Sequence, residues 1–279
     1  MIGFYALGGG FGHLSRVATF IQHQKIEPLF KVITNNPNAN RFFSENEIIY
    51  LKKGEIESKE ILKNTIYKTL KTHLFNAFYI DVFPTGILGE LSAPIFYNTK
   101  TYLLARRLKW ESYLPYLNEA SPYFEKIFVF EPLEEPHQSF LKKQAREIIS
   151  VKLEYPSSTN EQIRRKIERL NRPIWLVVHT SDQKELELLW QHAQDIALVE
   201  QIAPQWVILS DQKLSLPNTV WILENENPQE WVPYANKIFS AAGFNTVQQL
   251  MPFASKSVLL PFQRRFDDQF WRARRFKEM

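Results

Sequence analysis

The stretch that most constrains the fold lies near the end of the chain, over residues 237–278. A short apolar run, 237–239, stops at the small residues Ser240, Ala241 and Ala242; a helix is expected to open at Gly243 and to close near Pro252. A second apolar run, 258–260, is halted by Pro261, and a further helix is expected over 267–278. Strand, tight turn, helix, strand, turn, helix is the order of a nucleotide-binding α/β unit. Gly243 leaves room for a backbone or a ligand to come close. Asn245 and Thr246 place polar groups at a helix N-terminus, where free N–H groups and the dipole favour a phosphate.

The start of the chain repeats this order. Residues 2–7 read as a buried strand, Gly8-Gly-Gly-Phe-Gly-His13 as a glycine-rich turn, and 14–24 as a helix with Leu14, Val17, Ala18 and Ile21 on one face. The third glycine of a dinucleotide fingerprint falls on His13, and no Gly-Lys-Ser/Thr follows, so neither that fingerprint nor a P-loop is met. What the loop offers instead is a histidine in the first residues of a helix. Its imidazole titrates close to neutrality and suits the removal of a hydroxyl proton, while a structural, hydrogen-bonded histidine fits the same position.

Asp81 lies inside the apolar run 78–83, and a carboxylate there must be paired or lie at the strand's end. It either orients His13 or accepts N–H groups from the following loop. Glu90 follows a glycine turn and is expected to face the same site. Arg106 stands just past the strand expected over 100–105, at the edge where α/β sheets bind ligands. It is read either as a holder of an acceptor phosphate or carboxylate, or as a solvated surface arginine. The helix expected over 57–76 carries Ile61, Leu62, Ile66, Leu70 and Leu74 beside three lysines, a pattern that fits packing on a sheet or contact with a membrane.

Proline and small polar residues over 153–159 mark the best boundary, giving an N-terminal domain 1–152 and a C-terminal domain 153–279, with the last helix free to pack back on the first. After it come a charged helix (161–170), a strand (174–178), the loop His179-Thr180-Ser181-Asp182 and a helix reaching 202. Thr180 and Ser181 bring hydroxyls to that helix N-terminus, and Ser181 or Asp182 is the expected N-cap. Two more strands, 206–210 and 219–223, and a short helix, 227–234, lead back to the stretch at 237. In the closing helix Arg272, Arg274 and Arg275 are read as a solvated face, or as reaching an anionic acceptor or a membrane.

With 279 residues, 44% of them apolar and 14% aromatic, the chain can fill two modest cores. It has no cysteine, which excludes disulfides and thiolate metal sites. A net charge of +4 suits anionic partners such as nucleotide-sugars, lipid phosphates or a membrane surface. No nucleic-acid partner is expected. No leader is legible before the first strand, and no apolar run approaches the roughly 20 residues that span a bilayer. A cytoplasmic protein, with peripheral membrane contact as a further expectation, follows from that reading.

Two patches also carry a family resemblance. Gly8-Gly-x-x-Gly12-His13, continued by Leu14-Ser15-Arg16, is similar to the opening loop of the glycosyltransferases that include the lipid II-forming peptidoglycan N-acetylglucosaminyltransferase, and to related bacterial and archaeal proteins. Gly243, Thr246 and the spacing from Pro261-Phe262 to Gln269 resemble that family's donor-binding segment. The resemblance implies an α/β fold of two Rossmann-like domains facing each other across a cleft (GT-B). It implies inverting, metal-independent transfer of a sugar from a nucleotide-sugar, most simply a UDP-sugar, to an acceptor hydroxyl whose identity the sequence leaves open, a lipid-linked or anionic one being among the choices. His13 would be the base and Asp81 its partner. Gly10, Gly12, Thr180, Ser181, Gly243, Asn245, Thr246, Gln249, Asp268 and Gln269 would serve the donor, and Glu90 and Arg106 the acceptor.

The chain departs from the family at two points. Gln249 replaces a glutamate that would grip the ribose; an amide can accept one hydroxyl proton and donate to another oxygen, without the charge that strengthens such bonds. The loop at 179–182 has no glycine to wrap a diphosphate. These departures keep two other readings in view, a non-catalytic binder and a nucleotide-sugar epimerase on the same fold.

Overall fold

The computed structural model describes residues 1–27, 29–118, 120–155, 160–170, 172–180, 182–212, 220–224 and 226–278. The chain forms two compact units, Met1–Glu154 with Arg265–Asp267, and Tyr155–Arg264 with Asp268–Met279.

In the first unit β1 (Ile2–Tyr5), β2 (Phe30–Thr34), β3 (Ile48–Tyr50), β4 (Ala77–Asp81), β5 (Lys100–Ala105), β6 (Lys126–Val129) and β7 (Ile148–Ser150) pair in the order β3-β2-β1-β4-β5-β6-β7. The paired strands are parallel throughout. Parallel neighbours need crossovers, and α1 (Gly12–His23) and α2 (Lys59–His73) supply two of them. Alternate residues of β4 explain how both faces are covered. Phe78 and Ile80 join Tyr5, Ile33, Leu103 and the α2 residues Leu62, Ile66 and Leu70 in one core. Tyr79 points the other way, stacked between Phe4 (4.9 Å) and Tyr102 (4.6 Å) and against Phe20 of α1. Leu62, Ile66 and Leu70 of the apolar stripe thus pack on the sheet, while Ile61 and Leu74 stay exposed.

α3 (Trp110–Tyr113) and α4 (Glu135–Lys143) follow β5 and β6. Among the described residues the second unit holds α5 (Glu161–Glu168), β8 (Ile174–Val178), α6 (Gln183–Glu200), β9 (Gln205–Leu209), β10 (Trp221–Leu223), α7 (Pro228–Trp231), β11 (Lys237–Ala241), α8 (Phe244–Leu250), β12 (Ser257–Leu260) and α9 (Gln269–Lys277). Its strands form a parallel sheet in the order β10-β9-β8-β11-β12. One face packs Leu176, Val207 and Ile238 against Ile163, Val247 and Phe276; the other packs Trp175, Val177 and Phe239 against Leu186, Leu189 and Trp190 of α6. The boundary residues 156–159 and the turn at 213–218 lie outside the described residues. Both units are thus doubly wound sheets, each with one point where the strand order reverses: β1/β4 in the first, β8/β11 in the second. Ligands of such sheets bind beyond the carboxyl ends of the strands at that point.

Candidate active site

At the β1/β4 reversal the sequence places its glycine loop and Asp81. α1 begins at Gly12, so His13 and Arg16, three residues apart, share one face of the helix and both turn towards the end of β4. His13 Nδ1 lies 2.7 Å from Asp81 Oδ2. Arg16 donates from Nε to Asp81 Oδ1 (2.6 Å) and from Nη2 to Oδ2 (2.7 Å). Asp81 and Arg16 are buried, whereas the His13 side chain keeps 14% of its exposure. Burial alone would push the Asp81 carboxyl up, but the Arg16 guanidinium and His13 hold it below the usual range. An ionised carboxylate only accepts, so a neutral His13 carries its proton on Nδ1 and leaves Nε2 with a free lone pair. Burial lowers the His13 pKa, Asp81 opposes that shift, and Arg16 and Arg106 add to it. At neutral pH the ring is accordingly uncharged and able to take up a proton.

The loop before α1 is shaped around this ring. A Cβ on Gly8 would sit 2.3 Å from His13 Cδ2, whereas Cβ atoms on Gly10 or Gly12 would meet nothing within 4 Å. Gly8 N–H donates to Asn35 Oδ1 at 3.1 Å, fixing the loop from its other side. Phe11, the N-cap residue of α1, makes no side-chain cap bond. Phe83 packs 5.9 Å from the imidazole.

Two residues expected to bind an acceptor are held elsewhere. Glu90 has no exposure: it accepts from the Tyr5 hydroxyl and, at 2.8 Å, from the Leu88 N–H, and burial raises its pKa. Its carboxylate closes a turn inside the first core, which corrects its assignment to the acceptor. Arg106 is buried and pairs with Asp267, also donating to the Arg107 carbonyl at 3.1 Å. It anchors residues 265–267 on the first sheet, where Leu108 bridges Asp267, and is not a solvated surface group.

At the β8/β11 reversal, α8 starts after Gly243. Its φ of −65° is ordinary, and a Cβ added there would lie 3.8 Å from Thr246 Oγ1, so the fold itself tolerates a side chain at this position. Asn245 accepts from the Tyr155 hydroxyl at 3.0 Å, and Thr246 and Gln249 are partly exposed on α8. Thr180 follows β8, and its carbonyl accepts from Gln212 Nε2 at 3.3 Å; Ser181 lies outside the described residues. Asp182 caps α6 by accepting from the Glu185 N–H at 3.0 Å. Asp268 caps α9, accepting from the Trp271 N–H at 3.1 Å. Gln269 is buried, with Oε1 accepting from the Phe262 N–H at 3.0 Å, so its carbonyl holds the Pro261-Phe262 turn and not a sugar hydroxyl. Arg272 also departs from its expected solvated face: it is buried and donates to the Ala242 carbonyl at 2.8 Å, pinning the loop between β11 and α8.

Sequence reasoning passed over one further cluster. His179, at the end of β8, lies 3.1 Å through Nε2 from Glu185 Oε2, and Arg264 pairs with the same carboxylate. Burial lowers the His179 pKa, with Glu185 opposing. The signal was present only as His179 and Glu185 six positions apart; Arg264 comes from far along the chain and no spacing points to it. Asn245, Thr246, Gln249 and Thr180 are thus grouped at the edge of the second sheet, and His13, Asp81 and Arg16 at the edge of the first.

No protein-family model matches the chain, and no curated protein matches it in sequence. Solved structures do. The spinosyn forosaminyltransferase SpnP is 12% identical with a TM-score of 0.63, over 99% of this chain and 83% of that one. The spinosyn rhamnosyltransferase SpnG, complexed with thymidine diphosphate, is 11% identical with a TM-score of 0.61, over 99% of this chain and 84% of that one. The UDP-GlcNAc 2-epimerase of Methanocaldococcus jannaschii, in complex with UDP-GlcNAc and UDP, is 12% identical with a TM-score of 0.56, over 100% of this chain and 99% of that one. The fold is therefore that of GT-B proteins, with two Rossmann-like domains. No described helix is long and apolar enough to cross a membrane.

Proposed function

We propose that this chain is an enzyme acting on a nucleotide-sugar, and that its reaction is inverting, metal-independent transfer of the sugar to an acceptor hydroxyl. The observation that carries the reading is the His13–Asp81 pair at the strand-order reversal of the first sheet, with Nδ1 engaged and Nε2 free of any partner among the described residues. The fold shared with sugar-nucleotide enzymes supports the substrate class. In the proposed step the acceptor oxygen attacks the anomeric carbon from the face opposite the diphosphate. Its proton passes to His13 Nε2, and the bond from the anomeric carbon to the diphosphate oxygen breaks, releasing the nucleoside diphosphate. Asp81 holds the ring's tautomer and stabilises the imidazolium that forms. Thr180, Ser181, Asn245, Thr246 and Gln249 are proposed to hold the donor, with Gly10, Gly12 and Gly243 leaving space for it. The acceptor is proposed to be a hydroxyl compound that is anionic or lipid-linked.

The test is incubation with UDP- and TDP-sugars and a panel of acceptors, followed by product analysis. Transfer releases a nucleoside diphosphate and joins the sugar to the acceptor. Replacing His13 by Ala is expected to cost about 100- to 10,000-fold in kcat, with donor affinity by calorimetry nearly unchanged. Wild-type turnover in that variant would remove the base from the scheme. One observation favours a second reading, a nucleotide-sugar 2-epimerase: the chain covers 99% of the M. jannaschii enzyme. That reaction yields an isomeric nucleotide-sugar without any acceptor, and the same product analysis separates the two.

A further inference from the structure

His13 and Asp81 account for only part of the cluster, because Arg16 takes as much of the carboxylate as the histidine does. Its Nε and Nη2 reach separate Asp81 oxygens at 2.6 and 2.7 Å, and the guanidinium is 2% exposed. A planar fork matched to both oxygens leaves the carboxylate one orientation, which a lysine's point charge would not do. His13 meets Oδ2, one of the two oxygens so fixed, at 2.7 Å. We propose that Arg16 is a positioning residue: by clamping Asp81 it obliges His13 to donate a hydrogen bond from Nδ1–H to the carboxylate and to present Nε2 outward. The proposal rests on the reading of His13 as the base, since only then does the outward nitrogen matter to turnover.

Electrostatics work with the geometry. The charged groups facing His13 are Asp81 from the end of β4, Arg16 from α1 and Arg106 from beyond β5; Phe83 packs beside the ring without charge. Burial first, with Arg16 and Arg106 adding to it and Asp81 opposing, disfavours a charge on the ring, so the imidazole rests neutral and its basicity is available only to a proton arriving at Nε2. Spacing carries the arrangement: three residues along α1 separate the two side chains, and one turn of helix brings both to the same strand end.

The test is imidazole nitrogen NMR of the full-length protein, with the His13 signals assigned by their loss in His13→Ala. In the wild type the neutral ring is expected to be protonated on Nδ1. In Arg16→Gln the His13 midpoint is expected to move to higher pH, because one repelling cation is gone and Asp81 belongs to His13 alone. Arg16→Lys keeps the cation without the fork; its midpoint should stay near the wild-type value while the two tautomers mix. The acidic limb of the kcat/KM profile should move with the NMR midpoint in Arg16→Gln. A merely structural Arg16 would lower the melting temperature of both variants and leave tautomer and midpoint alone. An Nε2-protonated ring in the wild type, or an unmoved midpoint in folded Arg16→Gln, overturns the proposal. Should Arg16→Gln fail to fold, the wild-type tautomer and the Arg16→Lys spectrum decide it. Failure of the function reading looks different: turnover surviving in His13→Ala, with the NMR results intact.

Discussion

Asp81 is a buried carboxylate held by two partners at once. It accepts from Arg16 and His13 and has no contact with solvent, so its charge is stabilised entirely by protein. Replacing it by Asn leaves a buried guanidinium without its counter-charge, and the expected loss is about 3–5 kcal/mol, read by urea unfolding. His137 makes the opposite case. It is fully buried, stacked on Trp110 at 4.2 Å, and neither ring nitrogen has a hydrogen-bond partner among the described residues. Burial first, then Arg107 and Arg106, push its pKa down to about 3. A base whose folded pKa is depressed contributes stability that is complete above its unfolded pKa of about 6.5 and is lost as pH falls from there towards 3, at about 1.4 kcal/mol per pH unit. His137→Phe keeps the ring and removes the titration. Unfolding of that variant between pH 6 and pH 4 should therefore be less pH-dependent than in the wild type, and an unchanged slope would place the acid sensitivity elsewhere. The role of His137 was not legible in the sequence: its spacing from Leu141 on α4 marks an inward face, but nothing local points to the tryptophan it meets.

At the scale of elements, the glycines separate what the fold needs from what a ligand would need. Gly8 has no room for a Cβ because the His13 ring occupies the space. Gly8→Ala should displace that ring and cost about 100-fold in turnover, the expected penalty for an ångström of misplacement, with circular dichroism little changed. Gly243 has room and an ordinary backbone conformation, so Gly243→Val should leave the melting temperature nearly unaltered while weakening donor binding in calorimetry. Unaltered affinity would place the donor away from α8. Strand and helix positions were largely readable because apolar runs of two periods, bounded by glycine and proline, report backbone geometry directly. Two tertiary pairings were not: Glu90 with Tyr5, and Arg106 with Asp267, join residues with no spacing rule between them. The first turned an expected ligand contact into a structural one, and the second drew inward an arginine that could have been solvated.

For the whole molecule, a ligand that binds only the folded chain stabilises it by mass action, about 2.7 kcal/mol at a hundredfold excess over Kd. A UDP- or TDP-sugar that is a true substrate should thus raise the melting temperature in proportion to the logarithm of its concentration, and the free sugar should not. No response across the panel would argue against a nucleotide-sugar site. What the sequence determined by itself was the succession of β/α units, the two sheets they build, and the placement of His13 and Asp81 at strand ends, since those follow from local periodicity and from where a chain must turn. Only the tertiary structure decided which polar groups face outward. Arg16, Arg272, Gln269 and Glu90 are drawn inward by partners that lie far away along the chain or across a turn, because a buried polar group must find its hydrogen bonds wherever the fold brings them.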